Sequence, residues 1–316
     1  MISWDNYEDW IKTVPKCDLH CHAARGAGLK YLSDIAQKKI IEADGFSSVN
    51  EMNQWYKNEI GSVFQGRNGY ETLIRATIDE AIRDNIYFLV MGFAVDRVAL
   101  YNDSVSAFIK AISKIIRSYK RIVIIPELSI PKTVNYKKNI MVGMAALEYN
   151  FFKAIDIVGE EMEVAFDEFV ELYKTAKTRG LRLRAHVGEF GSADSIMRTC
   201  NLLDLDEVQH GISAIESEEV MSFLKDKGIQ LNICPTSNIK MHVVSDYKNH
   251  PIKKLLDYGI KVTINTDDRT VFNRSVSEEF TQLYKSGLLS INELERIRKE
   301  TLCRAEALWG NLYNLD

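Results

Sequence analysis

Short apolar or β-branched segments alternate with longer helical segments along the chain, and this alternation constrains the fold more than any other feature. Eight such segments occur, at residues 16–22, 86–91, 121–125, 154–158, 181–186, 207–211, 229–234 and 261–267. Strands that alternate with helices favour a parallel sheet with crossover helices, and a parallel sheet of this size closes into a barrel. We therefore predict an α/β fold, a (β/α)8 TIM barrel, and we expect residues 1–316 to form one such domain.

One connection is much too long for a turn of a barrel. Residues 27–86 separate the first segment from the second, whereas connections in α/β units usually have about 2–6 residues. The connection contains helical stretches and large apolar residues, among them Met52, Trp55 and Phe64. It follows the first strand on the side where active sites of barrels lie, so we interpret it as a helical lid inserted after that strand. A packed subdomain with no role in the site is the alternative interpretation.

The charge balance and the cysteines limit the partners and the location of the protein. Lys and Arg total 40 against 44 Asp and Glu, a net charge of −4, whereas a nucleic-acid-binding protein usually carries a basic patch. The five cysteines are widely spaced and odd in number, which indicates reduced thiols rather than a disulfide framework. The first residues lack the pattern of a signal peptide, and no apolar run approaches the roughly 20 residues of a membrane span. We expect a cytoplasmic protein that binds neither nucleic acid nor membrane.

The strongest local motif is a pair of histidines, His20 and His22, at the end of the first segment. Side chains two residues apart on a strand point to the same face, so both imidazoles project together while Cys21 faces away. Two imidazoles that converge from one strand form half of a metal site. Taken alone, the motif is equally consistent with two unrelated polar residues at the end of a strand.

Residues of metal-binding types also end other predicted strands. His186 ends the fifth strand, His210 ends the sixth, and Asp267 and Asp268 end the eighth. The chain has six histidines, and four of them lie at the C-terminal ends of predicted strands, where barrel enzymes have their active sites. Histidines of a barrel core would show no such bias. The pattern therefore predicts an active site built around a metal ion.

Five short motifs follow one another in the order VPKCDLHCH, RAHVGE, VQHGI, NICPTSN and VTINTDD. In this order, from Pro15 to Asp268, they resemble the motifs of the adenosine and adenine deaminase family of the amidohydrolase superfamily. The resemblance implies a zinc-dependent TIM barrel that hydrolyses a 6-aminopurine nucleoside, adenosine or a 5′-modified adenosine, to the 6-oxo, inosine-type product and ammonia. It implies a small-molecule purine as the partner of the site and leaves the oligomeric state open.

The resemblance further implies that His20, His22, His186 and Asp267 hold one Zn²⁺ per chain. Nitrogen and carboxylate ligands suit zinc, which lowers the pKa of a bound water to about 7. Together with this water, the protein ligands would make the ion five-coordinate. The fourth strand ends at Val158 with neither a lysine nor a carboxylate to bridge a second metal, which favours a single ion.

The same resemblance assigns roles to residues that surround the metal. Glu189 would protonate the purine ring nitrogen N1 as water attacks C6, which requires that burial raise the pKa of its carboxyl group. His210 would orient the attacking water and assist its deprotonation. Asp268 would contact this water and purine N7, and the backbone N–H of Gly159 would meet purine N3. The catalytic set is therefore Glu189, His210 and Asp268, and the substrate-binding set is Gly159, Asp268 and His22.

Several positions depart from the family pattern and leave the substrate open. Ala24 occupies the place of an aspartate that reaches the 5′ end of the ribose, so recognition of a free 5′-hydroxyl is not implied. Arg25 suits a 5′-phosphate or another anion, but we expect an arginine at the rim that pairs with a surface carboxylate. Residues 91–94 replace the usual Glu-x-Arg of the second strand, and Arg269 replaces the usual proline. Adenine, AMP and N6-substituted purines are therefore alternative substrates.

Two other classes of function remain as alternatives. The first is a purine-binding barrel without catalysis, although such proteins usually lose some of the ligands and catalytic residues that this chain retains. The second is an amidohydrolase that acts on a non-purine amine or ester. A stoichiometric metal would argue against the first, and activity on cyclic amides alone would support the second.

Overall fold

The computed structural model describes residues 6–133, 135–161 and 164–314, and eight parallel strands form its centre. The strands are β1 (Lys16–His22), β2 (Ile86–Ala94), β3 (Val123–Pro131), β4 (Ala154–Val158), β5 (Arg182–Val187), β6 (Glu207–His210), β7 (Gln230–Ile233) and β8 (Lys261–Ile264). Each strand pairs in parallel with the next strand along the chain. The predicted TIM barrel is confirmed, and each of the predicted segments overlaps one of its strands, although β2 and β3 extend to Ala94 and Pro131, beyond the predicted ends at residues 91 and 125.

The barrel closes where β8 meets β1. β8 ends at Ile264, earlier than predicted, and the chain then reaches β1 through its next residues. The N–H of Asp267 donates to the carbonyl oxygen of His20 at 2.8 Å, and the side chain of Asn265 accepts from the N–H of Leu19 at 2.9 Å. The joint between the first and last strands therefore lies at the residues predicted to bind a metal.

Helices surround the barrel. Over the residues that the structure describes, the α-helices are α1 (Tyr7–Thr13), α2 (Leu29–Ala36), α3 (Val49–Tyr56), α4 (Gly66–Arg83), α5 (Val105–Arg117), α6 (Tyr136–Leu147), α7 (Val170–Thr178), α8 (Ala193–Leu203), α9 (Glu218–Lys227), α10 (Pro235–Lys240), α11 (Ile252–Tyr258), α12 (Arg269–Phe272), α13 (Val276–Lys285) and α14 (Ile291–Trp309). A π-helix spans Lys57–Gly61, and 3₁₀-helices span Val95–Tyr101, Phe166–Phe169, Ile212–Glu216, Tyr247–Asn249 and Gly310–Asn314. In this part of the chain no helix combines the length and the apolar character that crossing a membrane requires.

The long connection between β1 and β2 folds as α2, α3, the π-helix and α4. α4 packs along β2 as the crossover helix of the first βα unit, so the preceding elements are the inserted part. This insertion has its own apolar cluster, in which Leu32, Phe46 and Met52 pack against Phe272 from α12. Side chains of the insertion also line the cavity above the barrel. The insertion is thus packed as a unit and also contributes to the surface of the site.

A buried layer of charged side chains fills the barrel beneath the strand ends. Arg184 is fully buried and forms ion pairs with Glu127 at 3.0 Å and with Glu207 at 2.6 Å. It also donates to the carbonyl oxygen of Leu19 at 3.1 Å. Buried charges are stable only when they are paired and hydrogen-bonded in this way. The layer joins β1, β3, β5 and β6 and fixes the positions of their C-terminal ends.

Candidate active site

The strand ends bring all of the predicted metal ligands to one point. His20 and His22 project from the same face of β1, as the spacing of two residues requires. His20 Nε2 lies 3.0 Å from His186 Nε2 and 3.5 Å from Asp267 Oδ1. His22 Nε2 lies 3.2 Å from the same carboxylate oxygen. Imidazole nitrogens gathered this closely around a carboxylate are typical of a metal site.

The ligand atoms form two overlapping groups. Those of His20, His186, His210 and Asp267 all lie within 4.8 Å of one another, and those of His22, Asp267 and Asp268 form a second such group. Imidazole nitrogens with a carboxylate oxygen are donors that suit Zn²⁺, so the residues fit such an ion. The first group includes His210, which the sequence assigned to catalysis, and His22 belongs only to the second.

A chain of hydrogen bonds fixes which nitrogen of His210 carries the proton. The N–H of Ile252 donates to His250 Nδ1 at 3.1 Å, so a neutral His250 ring carries its proton on Nε2. His250 Nε2 lies 3.2 Å from Asn238 Oδ1, which orients the amide of Asn238. Asn238 Nδ2 then donates to His210 Nδ1 at 3.1 Å. His210 Nδ1 is therefore an acceptor, and the proton of the neutral ring lies on Nε2.

This tautomer distinguishes His210 from a metal ligand. Burial lowers the pKa of His210 to about 3, so its ring is neutral. Its Nε2–H faces the carboxyl groups of Glu189, at 3.5 Å, and Asp267, at 3.7 Å. A protonated nitrogen has no lone pair for a metal, whereas it can donate a hydrogen bond to a water or a carboxylate. The geometry therefore favours the orienting role predicted from the sequence, but not the predicted help with deprotonation of the water, because the nitrogen that faces the cluster already carries a proton.

Asp267 reaches the cluster through an uncommon backbone conformation. Its φ is +57°, in the left-handed region that few non-glycine residues adopt, and His210 has a φ of +62°. Such conformations persist where surrounding contacts impose them, and they concentrate at functional sites. The hydroxyl of Ser237 donates to Asp267 Oδ2 at 2.7 Å. Burial raises the pKa of Asp267, but the imidazoles of His20 and His22 more than offset this, and its pKa lies well below the usual range.

Asp156 is a contact of His186 that the sequence analysis missed. This fully buried residue of β4 has a carboxylate oxygen 3.0 Å from His186 Nδ1. A carboxylate in this position orients the imidazole and leaves its Nε2 directed at the cluster. A sequence signal was available, because Asp156 is a single charged residue within an otherwise apolar strand.

Glu189 lies in the turn after β5, beside the cluster. Its Oε2 faces His210 Nε2, and its Oε1 accepts from Asn238 Nδ2 at 3.4 Å. Burial, with the negative charges of Asp267 and Glu161, raises the pKa of Glu189 well above its usual value. A carboxyl group with a raised pKa retains its proton near neutral pH and can donate it to a ligand.

Glu161 holds this turn in place and was not anticipated from the sequence. Its carboxylate accepts from the backbone N–H groups of the four residues 188–191, at 2.8, 3.2, 2.9 and 3.0 Å. The hydroxyl of Ser195 adds a further contact at 3.3 Å. Glu161 therefore fixes the backbone that carries Glu189. No local pattern could have revealed this, because the acceptor and its donors lie in different βα connections.

A cavity of about 670 Å³ opens above the cluster, within the usual size range for small-molecule sites. The predicted residues His22, Glu189, His210, Asp267, Asp268, His186 and Gly159 all contribute to its wall. Gly159 has a φ of +106°, which only glycine adopts without strain. The insertion supplies the other side of the wall, mostly with apolar and aromatic side chains: Val49, Met52, Tyr56, Phe64, Tyr70 and Leu73.

Arg25 does not pair with a surface carboxylate, and that prediction was wrong. Its Nη1 donates to Oδ2 of Asp268 at 2.7 Å, and the side chain of Asp268 is only 4% exposed. Asp268 is a predicted catalytic residue in the cavity wall, so Arg25 belongs to the site rather than to the rim. The pairing arises because the segment after β1 crosses the end of β8, where the N–H of Thr270 donates to the carbonyl oxygen of Arg25.

The barrel, the histidine and aspartate cluster at its C-terminal end and the cavity above that cluster have the layout of a barrel enzyme with a candidate metal site. Comparison with known proteins identifies the class as an amidohydrolase of the adenosine deaminase type. The family model for adenosine deaminase matches residues 15–307. A putative adenosine/adenine deaminase from Treponema pallidum is 32% identical over 287 residues, which cover 89% of this chain and 95% of that protein.

Solved structures share the fold. An adenine deaminase from Arthrobacter aurescens superimposes with a TM-score of 0.80 at 19% identity, over 95% of this chain and 98% of that one. An amidohydrolase from Burkholderia ambifaria, solved with bound Zn, has a TM-score of 0.76 at 19% identity, over 100% of this chain and 94% of that one. The chain belongs to the adenosine deaminase family. It is a hydrolase that acts on carbon–nitrogen bonds of cyclic amidines, and this membership supports deamination of a purine base.

Proposed function

We propose that this protein is a zinc-dependent hydrolytic deaminase that converts adenosine or a 5′-modified adenosine to the 6-oxo product and ammonia. One observation carries the proposal. Glu189, a buried carboxyl group whose pKa is raised well above its usual value by burial, lies beside the histidine and aspartate cluster in the wall of one cavity. Hydrolysis of an aminopurine requires this combination of a proton donor for the ring and an activated water.

The metal of this proposal is a single Zn²⁺ held by His20, His22, His186 and Asp267. The close approach of the imidazoles of His20, His22 and His186 to one another or to Asp267 supports this choice, as does the zinc bound by the amidohydrolase from Burkholderia ambifaria. When bound, the ion supplies a water of lowered pKa at the base of the cavity. Asp156 orients His186 toward the ion through the hydrogen bond to its Nδ1.

The remaining steps belong to the side chains of the cavity wall. Glu189 donates its proton to purine N1, which makes C6 more electrophilic as water adds there. His210 orients the attacking water through its Nε2–H, and Asp268 contacts the same water and the purine near N7. The N–H of Gly159 binds N3. One proton of the attacking water passes to the carboxylate of Asp268 and from there to the amino nitrogen on C6. Ammonia then leaves C6, the second proton of the water returns to Glu189, and the oxygen of the water becomes the 6-oxo group.

The residues near Ala24 favour a nucleoside without a 5′-phosphate. Ala24 offers no carboxylate to a 5′-hydroxyl, and Nη1 and Nη2 of Arg25 each already donate a hydrogen bond, to Asp268 and to Asn53. The adjoining wall is largely apolar, with Met52 and Phe64 among its residues. These features suit a 5′-deoxy or 5′-methylthio group better than a phosphate. We also propose that the insertion of residues 27–86 closes over the bound substrate as a lid on a single domain.

The test is a panel assay of ammonia release. The zinc-loaded protein is incubated with adenosine, 5′-deoxyadenosine, 5′-methylthioadenosine, AMP, adenine and an N6-methylpurine. We expect turnover of a nucleoside, with kcat reduced roughly 10²- to 10⁴-fold in Glu189→Gln. Glu171→Gln is the matched control, because Glu171 is exposed and pairs with Lys174 on the outer helix α7. If protein with a fully occupied zinc site releases no ammonia from any of these compounds, the proposal that the substrate is a purine is refuted.

A further inference from the structure

Arg25 makes contacts with two different parts of the cavity wall. Its Nη1 donates to Asp268 Oδ2 at 2.7 Å, at the end of β8. Its Nη2 donates to Asn53 Oδ1, also at 2.7 Å, in α3 of the insertion. The guanidinium carbon lies 4.2 Å from the centre of the Tyr56 ring, again in α3, at a distance suited to a cation–π interaction. One planar side chain therefore connects the insertion to a catalytic carboxylate.

The backbone around Arg25 is fixed on both sides. The hydroxyl of Tyr56 donates to the carbonyl oxygen of Ala24 at 2.6 Å. The N–H of Thr270 donates to the carbonyl oxygen of Arg25 at 2.6 Å, and its hydroxyl donates to that of Ala27 at 2.8 Å. The guanidinium thus projects from a segment that is hydrogen-bonded both to α3 and to the turn after β8. The orientation of the fork is set before any ligand binds.

Asp268 is left with one free carboxylate oxygen. The residue is 3% exposed, and its Oδ2 is used by Arg25. Among the described residues, no group donates a hydrogen bond to its buried Oδ1. A buried acceptor without a partner costs free energy, and a ligand that donates there recovers it. Because Asp268 lines the cavity, Arg25 determines which oxygen it presents and in what direction.

We propose that Arg25 is a positioning residue that orients Asp268 and transmits the position of α3 to it. This proposal rests on the proposed function, in which Asp268 contacts the attacking water and the purine. When the insertion is packed as observed, Asn53 and Tyr56 hold the guanidinium, and the guanidinium holds Asp268. When α3 moves away, Arg25 loses these supports, and Asp268 loses its orientation. Substrate turnover is thereby linked to a packed insertion.

A double-mutant cycle between Arg25 and Asp268 tests the proposal. We expect Arg25→Ala to lower kcat by roughly 10²-fold with little change in KM, since misplacement of a reacting group by about 1 Å costs that much. The double variant Arg25→Ala/Asp268→Asn should be no slower than Asp268→Asn alone, because both changes remove the same interaction. Guanidinium ion added to Arg25→Ala should restore part of the lost kcat. Arg67→Ala is the control, because Arg67 is half exposed on α4 and pairs with Glu71.

A second readout does not depend on activity. Amide hydrogen exchange across α3 (Val49–Tyr56) should accelerate in Arg25→Ala and stay slow in Arg67→Ala. The variant Arg25→Lys keeps the positive charge but lacks the two donor nitrogens of the planar guanidinium. It should retain the melting temperature of the wild type but not its kcat. Single effects that multiply in the double variant, or unchanged exchange in α3, would overturn the proposal. Inactive wild-type protein would instead refute the proposed function, while the exchange measurement would still test the tie between Arg25 and α3.

Discussion

Replacement of Glu161 by glutamine should loosen the turn that carries Glu189, with effects on both stability and catalysis. In the wild type, Oε2 of Glu161 accepts from three backbone N–H groups, and Oε1 accepts from the N–H of Gly188 and the hydroxyl of Ser195. The best orientation of the glutamine keeps its oxygen at the position of Oε2. Its amide nitrogen then faces the N–H of Gly188, so two donors meet.

The magnitude follows from these contacts. One charge-assisted hydrogen bond is lost and a buried N–H is left unpaired, which costs roughly 1.5–3 kcal/mol. The three remaining bonds lose the charge of their acceptor and weaken by about half. Since water can enter beside the turn and relieve part of this cost, we expect a loss of about 2–4 kcal/mol in the free energy of unfolding. Displacement of Glu189 should also lower kcat at least tenfold.

Urea unfolding at pH 7 and ammonia release measure the two effects of Glu161→Gln. Ser195→Ala is the matched control, because it removes only the contact of 3.3 Å and should cost less than about 1 kcal/mol. The reasoning is refuted if Glu161→Gln matches the wild type in both unfolding free energy and kcat. A loss of stability with unchanged kcat would show that Glu161 holds the turn without positioning Glu189.

Two further predictions concern protons. In metal-free protein labelled with ¹⁵N-histidine, NMR should find the ring of His210 protonated at Nε2. The variant His250→Phe removes the hydrogen-bond donor to Asn238, so its His210 ring should be a mixture of the two tautomers. A wild-type His210 ring protonated at Nδ1 would contradict the hydrogen-bond chain. Burial raises the pKa of Glu279 from its ordinary value of 4.5 to about 8, so the folded protein holds a proton that the unfolded chain loses in this interval. The free energy of unfolding should therefore fall as pH rises from 4.5 to 8, by at most about 1.4 kcal/mol per pH unit, and Glu279→Gln should remove this contribution; equal slopes in urea titrations of both proteins would refute it.

The strands and the metal-binding residue types were predictable because they depend on local periodicity. Residues two apart share a face of a strand, which was sufficient to place His20 and His22 together. Residues at the ends of parallel strands meet at one end of a barrel, which was sufficient to bring His186, His210 and Asp267 to them. Their roles stay predictions that the proposed assays test.

Contacts between distant segments were not predictable from local patterns. Glu161 binds a turn in the following βα connection, and Arg25 pairs with a residue 243 positions away. A surface carboxylate was predicted as the partner of Arg25 because this is the commonest partner of an arginine. No sequence motif indicates which buried carboxylate lies beside Arg25 in the folded protein. His250 lies outside the motifs at the strand ends, and its part in the hydrogen-bond chain to His210 is visible only from the tertiary packing.

The joint between β8 and β1 has a consequence for the order of events during synthesis. Leu19 and Asn265, which meet there, are 246 residues apart, so the ribosome has released most of the chain before the two can touch. The imidazoles of β1 therefore lack their carboxylate partner, Asp267, until most of the protein has left the ribosome. A metal ion bound across this joint would link a segment that is synthesised early, β1, to one that is synthesised late, the turn after β8. Truncated products that end before β8 would therefore keep the histidines of β1, β5 and β6 but lack Asp267, and the unpaired edge of β1 would favour their aggregation.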